Sequence, residues 1–303
     1  MSLNLHGANS DGQSIKNLPS GSSDTVNATI ANRLPGIAAM IRGEKIDVFG
    51  VQEARELAGT ANWITALDEE LDEFSRAGEA KITTLNTSEG NCIYYRTSKY
   101  RLVDENACGT FWLVEGAPTS VTTNDNYKVD GCANDRICSW ALLECIATGE
   151  CFLFMNTHLD TAGDAVTNQQ ATVIVNEIAD ILSAWNMTSD CPVILVGDMN
   201  SESTTNTYKT LTSQLTDSCV KVNSPYENHN TGYGYNYVDP TNPSYRIDGH
   251  RIDYILVSDA ATVIAYDMIH AATNLCPYKA GNGDGYITDH NAVIAQIAIG
   301  DGE

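Results

Sequence analysis

Six short stretches carry side chains able to do acid, base or metal chemistry: Asn4, Gln52-Glu53, Asn156-Thr157-His158, Asp198-Met199-Asn200, Arg251-Ile252-Asp253 and Asp289-His290. Most of them end or border runs rich in apolar and β-branched residues, the pattern of a buried strand. The clearest case is 192–200, where Val193-Ile194-Leu195-Val196 lies between Pro192 and Gly197 and stops on Asp198 and Asn200. If the backbone stays extended past Gly197, these two side chains leave one face and converge, and a carboxylate with an amide can grip and polarise a water. Functional groups gather where strand ends and their loops meet, so several polar endings on buried strands point to one shared site.

The residue types suggest a division of labour. Asn4, Glu53 and Asp289 supply hard oxygen ligands that suit Mg²⁺ or Mn²⁺ and leave positions for waters and a phosphate oxygen. His158 can donate to a phosphoryl oxygen. Asp253 and His290 are natural partners, the carboxylate fixing the imidazole tautomer and favouring its charged form. Phosphoester hydrolysis needs such parts, namely an activated water and neutralisation of charge at phosphorus and the leaving oxygen. Which histidine donates a proton is left open by the residues alone.

The elements that must position these groups follow from periodicity. A first short strand covers 3–6, and a loop rich in Gly, Ser, Asn and Asp runs to 24. Apolar residues at helical spacing predict a helix over 27–42, with Pro35 kinking it or marking its start. Strands follow at 46–51, 92–96 and 111–113, with an amphipathic helix over 61–74. A polar loop spans 116–133. Residues 136–146 and 151–159 form the best hairpin, and 166–185 is the longest helical pattern, so strand, helix and central strand imply a parallel crossover. A short helix at 204–215, a Gly-, Tyr- and Asn-rich loop at 223–245, strands at 251–257 and 262–269, a glycine-rich turn at 281–286 and a final strand at 292–299 complete the chain. No repeat or linker interrupts it, so residues 1–303 read as one domain.

Composition narrows the partners. Seventeen basic against thirty-nine acidic residues give a net charge of −22, which repels a nucleic-acid backbone and favours a small phosphorylated substrate. Nucleic acid is therefore a disfavoured partner, and a monomer is the default expectation. No apolar run approaches the twenty or so residues of a membrane span. Nine cysteines lack any Cys-x-x-Cys doublet, which argues against a zinc ribbon, and Cys145 with Cys151 and Cys132 with Cys138 are candidate local pairs. So many cysteines, with Asn-x-Ser/Thr triplets at Asn27, Asn86 and Asn186, lean towards an extracytoplasmic or secreted protein. The N-terminus lacks a signal-peptide pattern, which fits a leader already removed.

In order and wording the six stretches resemble the endonuclease/exonuclease/phosphatase superfamily, which includes deoxyribonuclease I, sphingomyelinases, inositol polyphosphate phosphatases and deadenylases. The resemblance implies an α/β, four-layer sandwich of two packed mixed β-sheets flanked by helices, with its site at one end. It implies that Asp198, helped by Asn200, orients or deprotonates the attacking water, and that Arg136 and Asn156 contact substrate. Arg55 and His6 lie beside the expected ligands as scaffold or rim residues. Asn168-Gln169-Gln170 stands where many deadenylase-like members carry an arginine, a departure from those subgroups. The expected activity is a divalent-metal phosphoesterase. A secreted deoxyribonuclease I-like endonuclease and an inactive phospho-ligand-binding member are the alternatives.

Overall fold

The protein is described from a computed structural model covering residues 1–7, 9–15, 24–54, 62–78, 90–118, 121, 127–232, 250–270, 277–278 and 287–300. In chain order the first half holds β1 (Ser2–Asn4), β2 (Asn9–Ile15), β3 (Asp24–Thr29), α1 (Ile30–Gly43), β4 (Val48–Gln52) and α2 (Trp63–Glu70). It continues with β5 (Phe74–Ala77), β6 (Ile93–Arg96), β7 (Tyr100–Leu102), β8 (Cys108–Trp112) and β9 (Ile137–Cys145). The second half holds β10 (Cys151–His158), α3 (Asp164–Ala184), β11 (Val193–Asp198), α4 (Asn206–Leu211), β12 (Thr216–Asp217) and α5 (Ser218–Lys221). The strands β13 (Asp253–Val257), β14 (Ala261–Ile269) and β15 (Ala292–Ile299) end it.

Two mixed sheets result. One runs β14-β15-β1-β4-β6-β5, and the other β12-β13-β11-β10-β9-β7 with β8 also on β9. Parallel pairing of β1 with β4 and of β10 with β11 is embedded among antiparallel neighbours. Strand parity sorts the core into layers. Phe152, Phe154, Ile194 and Val196 point between the sheets, while Leu153, Met155, Val193 and Leu195 point to α3. On the far side α1 and α2 bring Ile37, Met40, Ile41, Trp63 and Leu67 onto Leu3, Leu5, Phe49 and Val51. Every residue of β11 is buried because both its faces are covered. The order helix, sheet, sheet, helix is the four-layer sandwich expected from the motifs.

Several elements depart from the sequence reading. The loop expected over 7–24 contains β2, which pairs antiparallel with β3. The helix at 27–42 starts at Ile30, so Pro35 lies inside it and does not mark its beginning. The helix at 61–74 stops at Glu70, and Phe74 opens a strand. Both proposed cysteine pairs are free thiols. Cys151 stands opposite Glu144 in the hairpin, which sends Cys145 and Cys151 to opposite faces of the sheet. Asn86, Arg55 and the turn at 281–286 lie outside the described residues, as does most of the loop beyond 232.

Candidate active site

Register alone assembles three residues of the site. His158 is paired with Asp198 across β10 and β11, and Asp198 with Asp253 across β11 and β13. Three reactive side chains from distant parts of the chain thus occupy one rung of adjacent strands and share a face. The ladder closes this tightly because Gly197 has no side chain: a Cβ there would stand 2.2 Å from the Thr157 carbonyl oxygen.

The facing sheet supplies the rest. Asn4 and Gln52 are paired across β1 and β4, so Glu53 follows at the same level. The Asn4 amide nitrogen reaches over to Asp198 Oδ2 at 3.0 Å and also donates to Glu53 Oε1 at 3.2 Å. Thr288 donates to the Asn4 carbonyl at 2.6 Å, which brings Asp289 and His290 in beside β1. His6, Glu53 and Asn200 all adopt positive φ (52°, 57° and 45°), uncommon for residues other than glycine and characteristic of functional sites.

His290 lies between acids. Its Nδ1 is 2.9 Å from Asp253 Oδ2 and its Nε2 is 3.8 Å from Asp198 Oδ2. Burial opposes its charge, but Asp253, Asp198 and Asp289 outweigh that and raise its pKa well above the ordinary value. Burial pushes the fully buried Asp253 carboxyl up, and His290 and Thr231 pull it back. The pair therefore holds its proton on the imidazole. Asp198, Asp253 and His290 offer ligand atoms within 4.8 Å of one another. A protonated imidazole hydrogen bonded to a carboxylate is nevertheless a poor metal ligand.

Asn200 departs from the expected geometry. The backbone turns at Asn200, whose N–H donates to Asp198 Oδ1 at 3.0 Å, and its side chain goes elsewhere. The amide nitrogen donates to the Leu159 carbonyl at 2.9 Å and stands 2.9 Å from His158 Nε2. A carbonyl only accepts, so that atom is the NH₂ and His158 Nε2 is an acceptor here. Donation from His158 to a phosphoryl oxygen requires the ring to gain a proton or turn.

The two residues expected to contact substrate are both buried and paired within the protein. Asn156 is fully buried, and its NH₂ donates to the Val51 and Cys92 carbonyls while its oxygen accepts from Gln52. It joins the two sheets. It passes over Gly50, where a Cβ would sit 2.5 Å from its Cγ. Arg136 is turned to Asp160 at 3.5 Å, both side chains being almost completely buried. A buried guanidinium needs a counter-charge, and Asp160 also accepts the N–H groups of Ala133, Asn134 and Ala162. Arg136 is thus paired with the carboxylate that holds this loop.

Sequence reasoning misses two organising residues. Arg33, fully buried in α1, donates to the carbonyls of Leu5, His6, Gly7 and Ile287 and so ties the end of β1 to the segment before Asp289. Thr231 accepts the N–H groups of Ile252 and Asp253 through its hydroxyl, both at 3.0 Å, while its carbonyl accepts from Asn291. Nothing in a Gly- and Tyr-rich loop marks that threonine. His6 Nδ1, 2.6 Å from Asp289 Oδ2, holds the Asp289 carboxylate in place.

Residues 1–290 match the family model described as Endonuclease/Exonuclease/phosphatase family. No curated protein matches the chain. Among solved structures, an endonuclease/exonuclease/phosphatase family protein from Bacteroides thetaiotaomicron is 27% identical with a TM-score of 0.68, over 98% of this chain and 96% of that one. A mannosyl-6-phosphatase from the same organism is 26% identical with a TM-score of 0.66, over 98% of both chains. The human Nocturnin catalytic domain shares the fold at 19% identity and a TM-score of 0.59, over 88% of this chain and 86% of that one.

Proposed function

The chain belongs to the endonuclease/exonuclease/phosphatase family, and from that premise we propose that it is a divalent-metal phosphohydrolase acting on a small phosphorylated molecule by direct attack of water. The observation that carries this reading is His290 held by Asp253 beside Asp198, on the rung that also bears His158. Asp198 orients the water and takes its proton. His290 neutralises charge that grows on a phosphoryl oxygen, and Asp253 keeps it protonated and fixed.

Asn4, Glu53 and Asp289 would hold the cation. The fit rests on the donor chemistry, all oxygen, and on Asp289 Oδ1, a buried carboxylate oxygen with no hydrogen-bond partner among the described residues. Asn4 turns its NH₂ to the carboxylates, so ligation by its oxygen requires the amide to turn over. Bound Mg²⁺ or Mn²⁺ would supply charge neutralisation at the phosphoryl oxygens.

The net charge of −22 favours a small substrate over a polynucleotide. The likeness to a mannosyl-6-phosphatase makes sugar phosphates the first compounds to assay. Purified protein should release inorganic phosphate from hexose phosphates with Mg²⁺ or Mn²⁺ and stop in EDTA. Plasmid nicking without phosphate release would replace this reading with a nuclease, and ligand binding without product would leave a binding protein.

A further inference from the structure

We propose that Cys151 and Cys191 form a disulfide between β10 and β11 by exchange with a small disulfide such as oxidised glutathione. The parallel register pairs Leu153 with Val193, and two residues ahead of that pair stand Cys151, at the start of β10, and Cys191, just before β11. Neighbouring strands lie about 4.8 Å apart. Disulfides span Cα separations of about 4.4–6.8 Å. Parity gives Cys151 the face of Leu153, which packs towards α3, and Cys191 packs in that same cluster.

Pro192 aims the second thiol. In a parallel ladder the Cys151 carbonyl would accept the N–H of residue 192, and proline has none. The Cys191 thiol takes that place, its Sγ 3.7 Å from the Cys151 oxygen. Cys151 is partly exposed at the turn end of the hairpin, so a small reagent reaches it, whereas Cys191 is 8% exposed.

The chemistry balances. The Cys151 thiolate attacks oxidised glutathione, forming a mixed disulfide and releasing one glutathione. The Cys191 thiolate then attacks Cys151 Sγ, the bond to glutathione breaks, and a second glutathione leaves. Two protein thiols are oxidised and one glutathione disulfide is reduced to two thiols. Burial pushes the Cys191 thiol up to about 11, so the second step quickens as pH rises.

Both cysteines lie seven residues ahead of the reactive ends of their strands, His158 and Asp198. That is about 23 Å of extended chain. Closure therefore ties the strands around α3 without touching the site. Native protein is incubated with oxidised glutathione, alkylated, digested and mapped by mass. The expected product is one peptide joining Cys151 to Cys191, two hydrogens lighter than its thiol parts. It should be absent in Cys151→Ser and Cys191→Ser and lost with dithiothreitol. A midpoint of thermal unfolding a few °C higher should accompany it, in line with a loop of about 40 residues closed in the unfolded chain. Both thiols remaining alkylatable, arrest as a glutathione adduct on Cys151, or a link to Cys145 would overturn the assignment. None of these outcomes depends on the enzyme reading.

Discussion

The Nδ1 of His290 lies 2.9 Å from an oxygen of Asp253, a carboxylate with no exposure to solvent. Buried charges survive when paired, so the two act as a unit. His290→Ala and Asp198→Ala should each lower kcat by about a hundredfold or more. Because the pair works together, Asp253→Asn combined with His290→Ala should be little worse than the more damaging single change. Steady-state kinetics on folded protein checks this, and near-wild-type rates in either alanine variant would remove the assigned roles.

The same pair sets a pH dependence. The folded-state pKa of His290 is raised well above its ordinary value. Its contribution to stability is therefore complete below the unfolded value of about 6.5 and is lost as pH rises through the folded value. The alkaline limb of kcat/KM should report that loss, and Asp253→Asn should move the limb to lower pH. A limb that stays in place would separate it from His290.

Thr231 is a positioning residue. Thr231→Val leaves the N–H groups of Ile252 and Asp253 without their acceptor, at a cost of about 1–3 kcal/mol for each buried group. Turnover should fall with KM little changed, and Thr231→Ser should restore it. Equal losses in the valine and serine variants would reduce the residue to packing.

Asn156 should matter to stability more than to binding. Asn156→Ala opens a void between the sheets and strips partners from Val51, Cys92 and Gln52. The expected loss is about 3 kcal/mol or more. Chemical denaturation read by circular dichroism measures it. A large rise in KM without loss of stability would return Asn156 to the substrate.

The sandwich was legible where apolar patterning carries the folding energy. β10 and β11 read correctly because continuous runs such as Phe152-Leu153-Phe154-Met155 and Val193-Ile194-Leu195-Val196 suit strands covered on both faces. β2 was not legible, since Asn9-Ser10-Asp11-Gly12-Gln13-Ser14 holds no apolar pattern and its register is that of a backbone ladder with β3. The amphipathic stripe of α2 led past its end, because Phe74 packs on Phe49 from a strand and not from the helix.

By itself the sequence determined which groups can do chemistry and that they close the strands of an α/β sandwich, because residue type and apolar period are local properties. Tertiary structure alone decided what each polar group faces. Asn156 and Arg136 share the chemistry of substrate-binding residues, yet one spans the sheets and the other pairs with buried Asp160. The Cys191 Sγ lies 3.7 Å from the Cys151 carbonyl while Cys145 lies on the other face of the sheet, because strand register decides neighbours. A buried polar atom must find a partner wherever the fold brings one, and that choice is made by contacts between segments far apart in the chain.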